Sequence, residues 1–155
     1  MSMNSSLETH VAPVRRPIAA TLGVVCKDGQ VLMIRRRNAP DVGRWSFPGG
    51  KIDFGEAVLV ATEREISEET SVQAKALQVV TAVDVHDIDA DGALRQHYLL
   101  IAVACSWIAG DAYAGDDALE AKWFDVEQLA HSDIARSFDV VAVAKLAYQR
   151  YLEAS

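Results

Sequence analysis

Three glutamates in the middle of the chain have the chemistry and spacing of a metal site. Glu65, Glu68 and Glu69 stand at positions i, i+3 and i+4. On a helix from about Ala57 to Thr70 they would share an arc of roughly 100° on one face. Like charges this close destabilise a helix unless a counter-charge is present. Oxygen ligands suit the hard cations Mg²⁺, Mn²⁺ and Ca²⁺, and the alternative interpretation is a solvated acidic surface.

Further residues surround these glutamates at fixed spacings between Gly50 and Val72. They form the pattern G-x5-E-x7-R-E-I-x-E-E-x-S-V, preceded by Phe47-Pro48-Gly49. This combination resembles the Nudix box. One position departs from the family pattern, because Ser71 replaces a glycine that ends the helix in a left-handed conformation. We expect Ser71 to cost about 1 kcal/mol relative to glycine there.

The resemblance implies a fold, an activity and a set of site residues. The implied fold is an α/β/α sandwich with a mixed β-sheet, and the implied reaction is hydrolysis of a nucleoside diphosphate linked to another moiety. Mg²⁺ is the expected cofactor, with Mn²⁺ as the alternative. The implied metal ligands are Gly50, through its carbonyl, and Glu65, Glu68, Glu69 and Glu120. The implied catalytic residues are Glu56, Arg64, Glu65, Glu68 and Glu69, with Arg64 pairing with Glu56 or with a metal-binding glutamate.

Residues outside this stretch are candidates for substrate contacts and for a further carboxylate. Arg35 is the preferred phosphate-binding residue of the run Arg35-Arg36-Arg37, with a solvated strand end as the alternative. Phe138 is a candidate for stacking on a base, with a core position as the alternative. The acidic candidates near the Trp123-Phe124 pair are Asp116, Asp117 and Glu120, of which Glu120 is preferred on the resemblance.

The substrate class stays open between two kinds of nucleotide. The segment with Gly115-Asp116-Asp117-Ala118 and Trp123-Phe124 resembles ADP-ribose pyrophosphatases, which favours ADP-ribose or a nucleotide sugar. However, Asp87 occupies the position of a proline that marks one ADP-ribose subgroup. A nucleoside triphosphate pyrophosphatase is therefore the main alternative, and a non-catalytic ligand-binding domain is the second.

Local patterns predict the elements that must position the site. Two apolar, β-branched runs flank Asp28-Gly29, which predicts a hairpin of Ile18–Lys27 and Gln30–Ile34. Long apolar stretches from Val72 to Val85 and from Gln96 to Ile108 predict two more strands. The polar loop between them has Asp residues at alternate positions, and a hairpin turn explains these better than a calcium site. Apolar periodicity predicts an amphipathic helix from about Phe138 to Leu152.

Length and charge limit the classes of function. With 155 residues the chain suits one domain, which we place at 17–155, after a disordered lead at 1–16. Of the net charge of -7, the region from Gly50 to Val72 supplies -4, from six acidic and two basic residues. No basic cluster predicts nucleic-acid binding, and no apolar run predicts a membrane span. We expect a cytoplasmic protein that acts on a small nucleotide. We expect Cys26 and Cys105 to be reduced. A homodimer is possible, and the sequence leaves the oligomeric state open.

Overall fold

A mixed β-sheet with one long helix on each side forms the fold. The computed structural model describes residues 13–115 and 117–155, and within them it contains seven strands. The strands are β1 (Ile18–Lys27), β2 (Gln30–Arg36), β3 (Trp45–Ser46), β4 (Gly49–Lys51), β5 (Gln73–Ile88), β6 (Leu94–Ala109) and β7 (Ala118–Asp125). The long helices are α1 (Val58–Thr70) and α2 (Val140–Glu153), and a short 3₁₀ helix at Leu129–His131 precedes α2.

The pairing of the strands leaves a split in the sheet. The main order is β3-β2-β1-β6-β5, with β4 paired to β1 and β7 paired to β2. Only β1 and β6 are parallel among these pairs, from Ile18 opposite Tyr98 to Cys26 opposite Ser106. By contrast, β1 and β2 pair only at the end near their turn, at Cys26 and Lys27. The two strands therefore diverge, and β4 lies against β1 where they separate.

Each helix buries an apolar face against one side of the sheet. On the α1 side, Ile66 packs with Val25 and Val103, and all three are fully buried. Burying an isoleucine of this size stabilises the fold by about 2–3 kcal/mol. On the α2 side, the buried residues Val143 and Ala147 pack with the sheet. This arrangement confirms the predicted α/β/α sandwich with a mixed sheet.

The predicted hairpins are present, and the second is longer than its sequence pattern indicates. Asp28 and Gly29 both have positive φ, 49° and 79°, as the two central residues of a type I′ turn require. The β5–β6 hairpin extends into the region that the sequence predicts as a turn, because His86 pairs with His97. The turn is closed by the Asp89 carboxylate, which accepts hydrogen bonds from the amides of Asp91 and Ala93 at 2.9 Å.

The two cysteines are free and buried, as expected for packing residues. Cys26 belongs to the cluster on the α2 side and Cys105 to the cluster on the α1 side, so their thiols lie on opposite faces of the sheet. Burial raises the pKa of Cys26 to about 12 and also raises the pKa of Cys105. Both thiols are therefore protonated at neutral pH.

Two further expectations concern the ends of the chain and membranes. The first twelve residues of the predicted lead lie outside the described residues, and the domain boundary at 17 stays a prediction. In the described parts of the chain, neither long helix has the length and apolar character to cross a membrane.

Candidate active site

Helix α1 is fixed at both ends by local backbone geometry. Before it, the Glu56 amide donates to the Asp53 carbonyl at 2.9 Å, and the Asp53 amide donates to the Glu56 carboxylate at 3.1 Å. At the other end, Ser71 has φ 62° and ψ 4°, and its amide donates to the Ser67 carbonyl at 3.0 Å. Ser71 therefore adopts the left-handed conformation that the sequence pattern predicts at this position.

Arg64 connects three glutamates around the first half of the site. Its guanidinium donates two hydrogen bonds to Glu56, at 2.7 and 2.9 Å, in a bidentate arrangement. It also donates to Glu65 at 2.8 Å, to Glu68 at 3.3 Å and to the Lys51 carbonyl at 3.2 Å. The pairing of Arg64 with Glu56 that the resemblance implies is thus present.

This pairing strongly favours the charged forms of both partners. The hydrogen bonds from Arg64 and from the Asp53 amide lower the pKa of Glu56 to about 2. The hydrogen bond to Glu56 raises the pKa of Arg64 above its usual value. Glu56 and Arg64 are accordingly a permanent ion pair at neutral pH.

Glu69 lies in the opposite kind of environment. It is only 7% exposed, and its carboxylate accepts a hydrogen bond from the Gly49 amide at 3.2 Å. Burial, together with the nearby charges of Glu65 and Asp117, raises the pKa of Glu69 to about 8. The Gly49 amide and the positive charge of Arg36 act in the opposite direction but do not offset the burial.

Glu65 lies between these two environments and against the glycine loop. A Cβ atom placed on Gly50 would lie 2.6 Å from the Glu65 carboxylate carbon, so the carboxylate covers the backbone of this glycine. Burial raises the pKa of Glu65, and the hydrogen bond from Arg64 lowers it in part. Only a glycine at position 50 leaves room for the carboxylate in this place.

The donor set of this region fits a hard divalent cation. Glu65 offers carboxylate oxygens beside Gly50 and Glu69 offers them beside Gly49, and burial makes the negative charge of Glu69 costly without a counter-ion. Glu68 differs, because its side chain is 58% exposed and bonds to Arg64. In the described part of the chain, no three acidic, histidine or cysteine side chains already form a closed set of ligands. The assignment of Glu65, Glu69 and the Gly50 carbonyl as ligands therefore stays a prediction.

An open cavity of about 210 Å³ adjoins these carboxylates in the split of the sheet. Its polar wall includes Arg36, Glu69 and Asp117, and its remaining wall is largely apolar. The apolar lining includes Leu22, Ile34, Phe47, Val85, Tyr98, Leu100 and Phe138. Because charged groups and aromatic rings both line the cavity, it suits a molecule that has both a phosphate and a ring system.

The structure brings some of the predicted substrate and metal residues to this cavity and leaves others outside its lining. Phe138 lines it and also packs against the core cluster on the α2 side, so its role as a substrate contact stays a prediction. Arg35 does not, because its guanidinium donates to the Glu120 carboxylate at 2.7 Å on the surface of the β2–β7 pair. Glu120 is therefore held by Arg35. Asp116 lies outside the described residues.

Arg36 and Asp117 are the residues whose positions the sequence patterns ranked too low. Arg36 lines the cavity and donates to the Pro40 carbonyl at 2.6 Å. Successive residues of a strand point to opposite faces, so Arg36 lies on the same side of β2 as Ile34, which also lines the cavity, and Arg35 lies on the other side. Asp117 follows a loop whose Gly115 amide donates to the Glu69 carbonyl at 2.7 Å. No local pattern reports this long-range contact.

Comparisons of the sequence and of the fold with known proteins find relatives of the same family. The family model described as NUDIX domain matches residues 15–144. An ADP-ribose pyrophosphatase from Methanocaldococcus jannaschii is 37% identical over 113 residues, which cover 73% of this chain and 64% of the relative, so less than two thirds of that relative is spanned. An oxidized purine nucleoside triphosphate hydrolase from Danio rerio is 25% identical over 118 residues, covering 74% of this chain and 70% of the relative. The crystal structure of a MutT NUDIX hydrolase from Burkholderia pseudomallei is 26% identical, with a TM-score of 0.69, covering 85% of this chain and 98% of that one.

Proposed function

The chain belongs to the NUDIX family, and we propose that it hydrolyses the diphosphate bond of a nucleoside diphosphate linked to another moiety. The observation that carries the proposal is the placement of the partly buried Glu65 and the buried Glu69 beside the Gly49-Gly50 loop, with Glu69 at the wall of an open cavity. Nudix hydrolases generally use divalent metal ions, and the carboxylate oxygens here fit that requirement. This arrangement supplies negative charge to bind an ion and space for a phosphorylated substrate.

ADP-ribose or a nucleotide sugar is the substrate class that we propose. The relative from Methanocaldococcus jannaschii that carries the name ADP-ribose pyrophosphatase supports this choice. The aromatic side chains of Tyr98 and Phe138 line the cavity and offer surfaces for a base, while Arg36 offers a guanidinium for a phosphate. The two kinds of group occur in one cavity, as a nucleotide requires.

We propose Mg²⁺ as the cofactor, with Mn²⁺ as the alternative. An ion bound by Glu65, Glu69 and the Gly50 carbonyl would neutralise the diphosphate and lower the pKa of a water molecule. Glu68 stays a predicted further ligand, which would have to leave Arg64 to bind.

The other residues of the site orient these groups and the substrate. Arg64 holds Glu65 in place through a 2.8 Å hydrogen bond and is itself fixed by Glu56. Glu69, buried beside the Gly49 amide, is the candidate to accept a proton from the attacking water if it does not itself bind the ion. Arg35 and Glu120 stay predictions for phosphate and metal binding. Because Arg36 and Asp117 line the cavity, we propose them for the same two roles.

Hydrolysis of a nucleoside triphosphate to a monophosphate and pyrophosphate is the second candidate. The relative from Danio rerio, named as an oxidized purine nucleoside triphosphate hydrolase, favours it. A ligand-binding protein without activity is the third, and the presence of every box glutamate argues against it. For either enzyme we propose a single domain at 17–155 and a cytoplasmic location. We propose small nucleotides as partners, without nucleic acid or membrane binding. The question of a homodimer is left open.

Turnover with a panel of ADP-ribose, nucleotide sugars and nucleoside triphosphates, with and without Mg²⁺, tests the proposal. A nucleoside monophosphate plus a phosphosugar is the expected pair of products. A nucleoside monophosphate plus pyrophosphate would make the triphosphate reaction primary. Tight ligand binding without turnover of any substrate would overturn the enzymatic proposal and support the third candidate.

A further inference from the structure

A cluster of Asp84, His86 and His97 lies on the β5–β6 hairpin, outside the lining of the cavity. The His97 imidazole Nε2 is 2.9 Å from the Asp84 carboxylate. The imidazole rings of His86 and His97 stack with their centroids 4.5 Å apart and an angle of 28° between their planes. None of these groups is used by the proposed reaction.

The strand geometry places all three side chains on one face of the hairpin. Asp84 and His86 are two residues apart on β5, so they project from the same side of the strand. His97 is directly opposite His86 on β6, and opposed residues also share a face. Val85, Tyr98 and Leu100 line the cavity. Since Val85 lies between Asp84 and His86 in sequence, the cluster faces away from the cavity.

We propose that Asp84, His86 and His97 form a binding site for a late first-row transition metal ion, Zn²⁺ or Cu²⁺. Two neutral imidazoles and a carboxylate are ligands that these ions accept readily. Two residues on one strand and the residue opposite on the next strand provide three ligands from one direction. Solvent provides the remaining ligand, because the Asp84 side chain is 61% exposed.

The distances require only side-chain movement. Opposed residues in an antiparallel pair have Cβ atoms about 4.5–5.5 Å apart. Two nitrogens bound at about 2.0–2.1 Å to a tetrahedral ion are separated by roughly 3.3 Å, which opposed imidazoles can reach. In the structure the rings are stacked and the Asp84–His97 hydrogen bond is formed, so the donors do not converge yet. The ion would replace this hydrogen bond, and the His86 ring would turn about its Cβ–Cγ bond.

Such an ion would bind to the part of the β5–β6 hairpin that, among the described residues, pairs with no third strand. β1 pairs with β6 from Tyr98 to Ser106, so the His86–His97 pair lies in the two-stranded end of the hairpin. The adjacent pair, Val85 and Tyr98, contributes to the cavity wall. An ion bound by His86 and His97 would therefore join the two strands immediately beside that wall.

Calorimetric titration of the full chain with ZnCl₂, in a buffer with excess Mg²⁺ to occupy the carboxylate site, tests the proposal. We expect one ion per chain. Electron paramagnetic resonance of the Cu²⁺-loaded chain should show coupling to two imidazole nitrogens, which ligation by glutamates cannot produce. His86→Ala and His97→Ala should each lower the affinity by at least about 10-fold, since loss of even an outer-shell partner costs about 10–100-fold.

Control variants separate this site from other histidines. A chain with both His10→Ala and His131→Ala should bind Zn²⁺ and Cu²⁺ like the wild type. Circular dichroism of each variant checks that the fold is retained, which we expect because His86 and His131 are exposed and His97 is partly exposed. The absence of Zn²⁺ and Cu²⁺ binding in the wild type, an unchanged affinity in both single histidine variants, or loss of binding in the control would each overturn the proposal.

Discussion

Glu56 and Glu69 belong to the same sequence pattern but lie at opposite ends of the site. Glu56, before helix α1, receives two hydrogen bonds from Arg64, and its pKa falls to about 2. Glu69, in the last turn of α1, is buried and accepts one amide hydrogen bond, and its pKa rises to about 8. The same side chain is stabilised in its charged form at one end and in its neutral form at the other.

This difference separates residues whose charge is neutralised within the protein from residues whose charge requires a bound cation. The charge of Glu56 is already neutralised by a positive side chain of the protein, so it completes a structural unit with Arg64. Among the described residues, no positive side chain lies at hydrogen-bond distance from Glu69, and burial makes its negative charge costly. A cation from solution would supply the positive charge that the Glu69 carboxylate lacks.

The largest expected effect is the loss of turnover in Glu69→Gln. The amide cannot accept a proton and is a weaker metal ligand, so we expect kcat to fall by about 10²–10⁴-fold, the usual contribution of a general base. The fold should be retained, because glutamine has nearly the same shape and can accept the hydrogen bond from Gly49. Steady-state kinetics with the substrate that the turnover panel identifies measures kcat, and circular dichroism measures whether the fold is retained.

Glu63→Gln is the matched control for that variant. Glu63 is on the same helix, but it accepts a hydrogen bond from the Ala76 amide at 2.9 Å and does not line the cavity. Its replacement should leave kcat within about twofold of the wild type, as expected for a surface position away from the chemistry. Near-normal turnover in Glu69→Gln would falsify the assignment of Glu69 to the chemistry.

Two adjacent glycines sharpen the distinction between building and reacting groups. A Cβ on Gly49 would collide with the Thr21 carbonyl and lie 3.0 Å from the Leu22 Cα, so Gly49→Ala should destabilise the fold by about 1–3 kcal/mol. A Cβ on Gly50 would instead meet the Glu65 carboxylate, which is the end of a flexible side chain. Gly50→Ala should therefore keep most of its stability and lower kcat at least about 10-fold by displacing Glu65.

Urea unfolding and kinetics on both alanine variants distinguish the two effects. The expected result is a lower midpoint for Gly49→Ala and a lower kcat for a well-folded Gly50→Ala. Equal losses of stability in the two variants would mean that the Glu65 carboxylate cannot move aside. That result would contradict the prediction that Gly50→Ala mainly lowers kcat.

The pH dependence of stability should have opposite signs for the two glutamates in the metal-free protein. The folded pKa of Glu56, about 2, lies below its ordinary value of 4.5, so its contribution is present above pH 4.5 and is lost as the pH falls toward 2. The stability difference between wild type and Glu56→Gln should therefore shrink over that acidic range.

For Glu69 the folded pKa of about 8 lies above 4.5, and the sign reverses. The protonated form is favoured in the folded state, so its advantage is complete below pH 4.5 and is lost as the pH rises toward 8. With a chelator present, the wild type should lose stability relative to Glu69→Gln across this window. Chemical unfolding at intervals of one pH unit measures both differences, and parallel curves for Glu56→Gln and Glu69→Gln would refute the comparison.

The sequence predicts those parts of the site that depend on local periodicity. Helix α1 begins and ends within one residue of its predicted limits, because the glutamates, Ile66 and Ser71 all report the same helical register. The hairpin turn at Asp28-Gly29 is predicted for a similar reason, since two residues there determine the backbone conformation. Both features arise from residues that are close together in the chain.

The features that the sequence did not predict depend on contacts between distant residues. Asp117 reaches the site because the Tyr113 amide donates to the Thr70 carbonyl at 2.9 Å and the Gly115 amide donates to the Glu69 carbonyl at 2.7 Å. Arg36 rather than Arg35 lines the cavity because alternate residues of β2 face it, and the packing of β2 in the sheet decides which set does so. The length of β5 similarly depends on its pairing with β6, which makes a polar stretch such as Asp84–Asp87 extended.

The smallest expected effect concerns the end of α1, where the chain departs from the family pattern. Ser71 has a φ of 62°, which costs a residue with a Cβ atom about 1 kcal/mol relative to glycine. Ser71→Gly should therefore raise the melting temperature by about 3 °C, whereas Ser67→Gly, within the same helix, should lower stability by about 0.5 kcal/mol. Calorimetry of both variants measures the difference. Turnover should stay unchanged in Ser71→Gly, because the hydrogen bonds of Arg64 and of Glu69 fix the carboxylates independently of the residue that ends the helix.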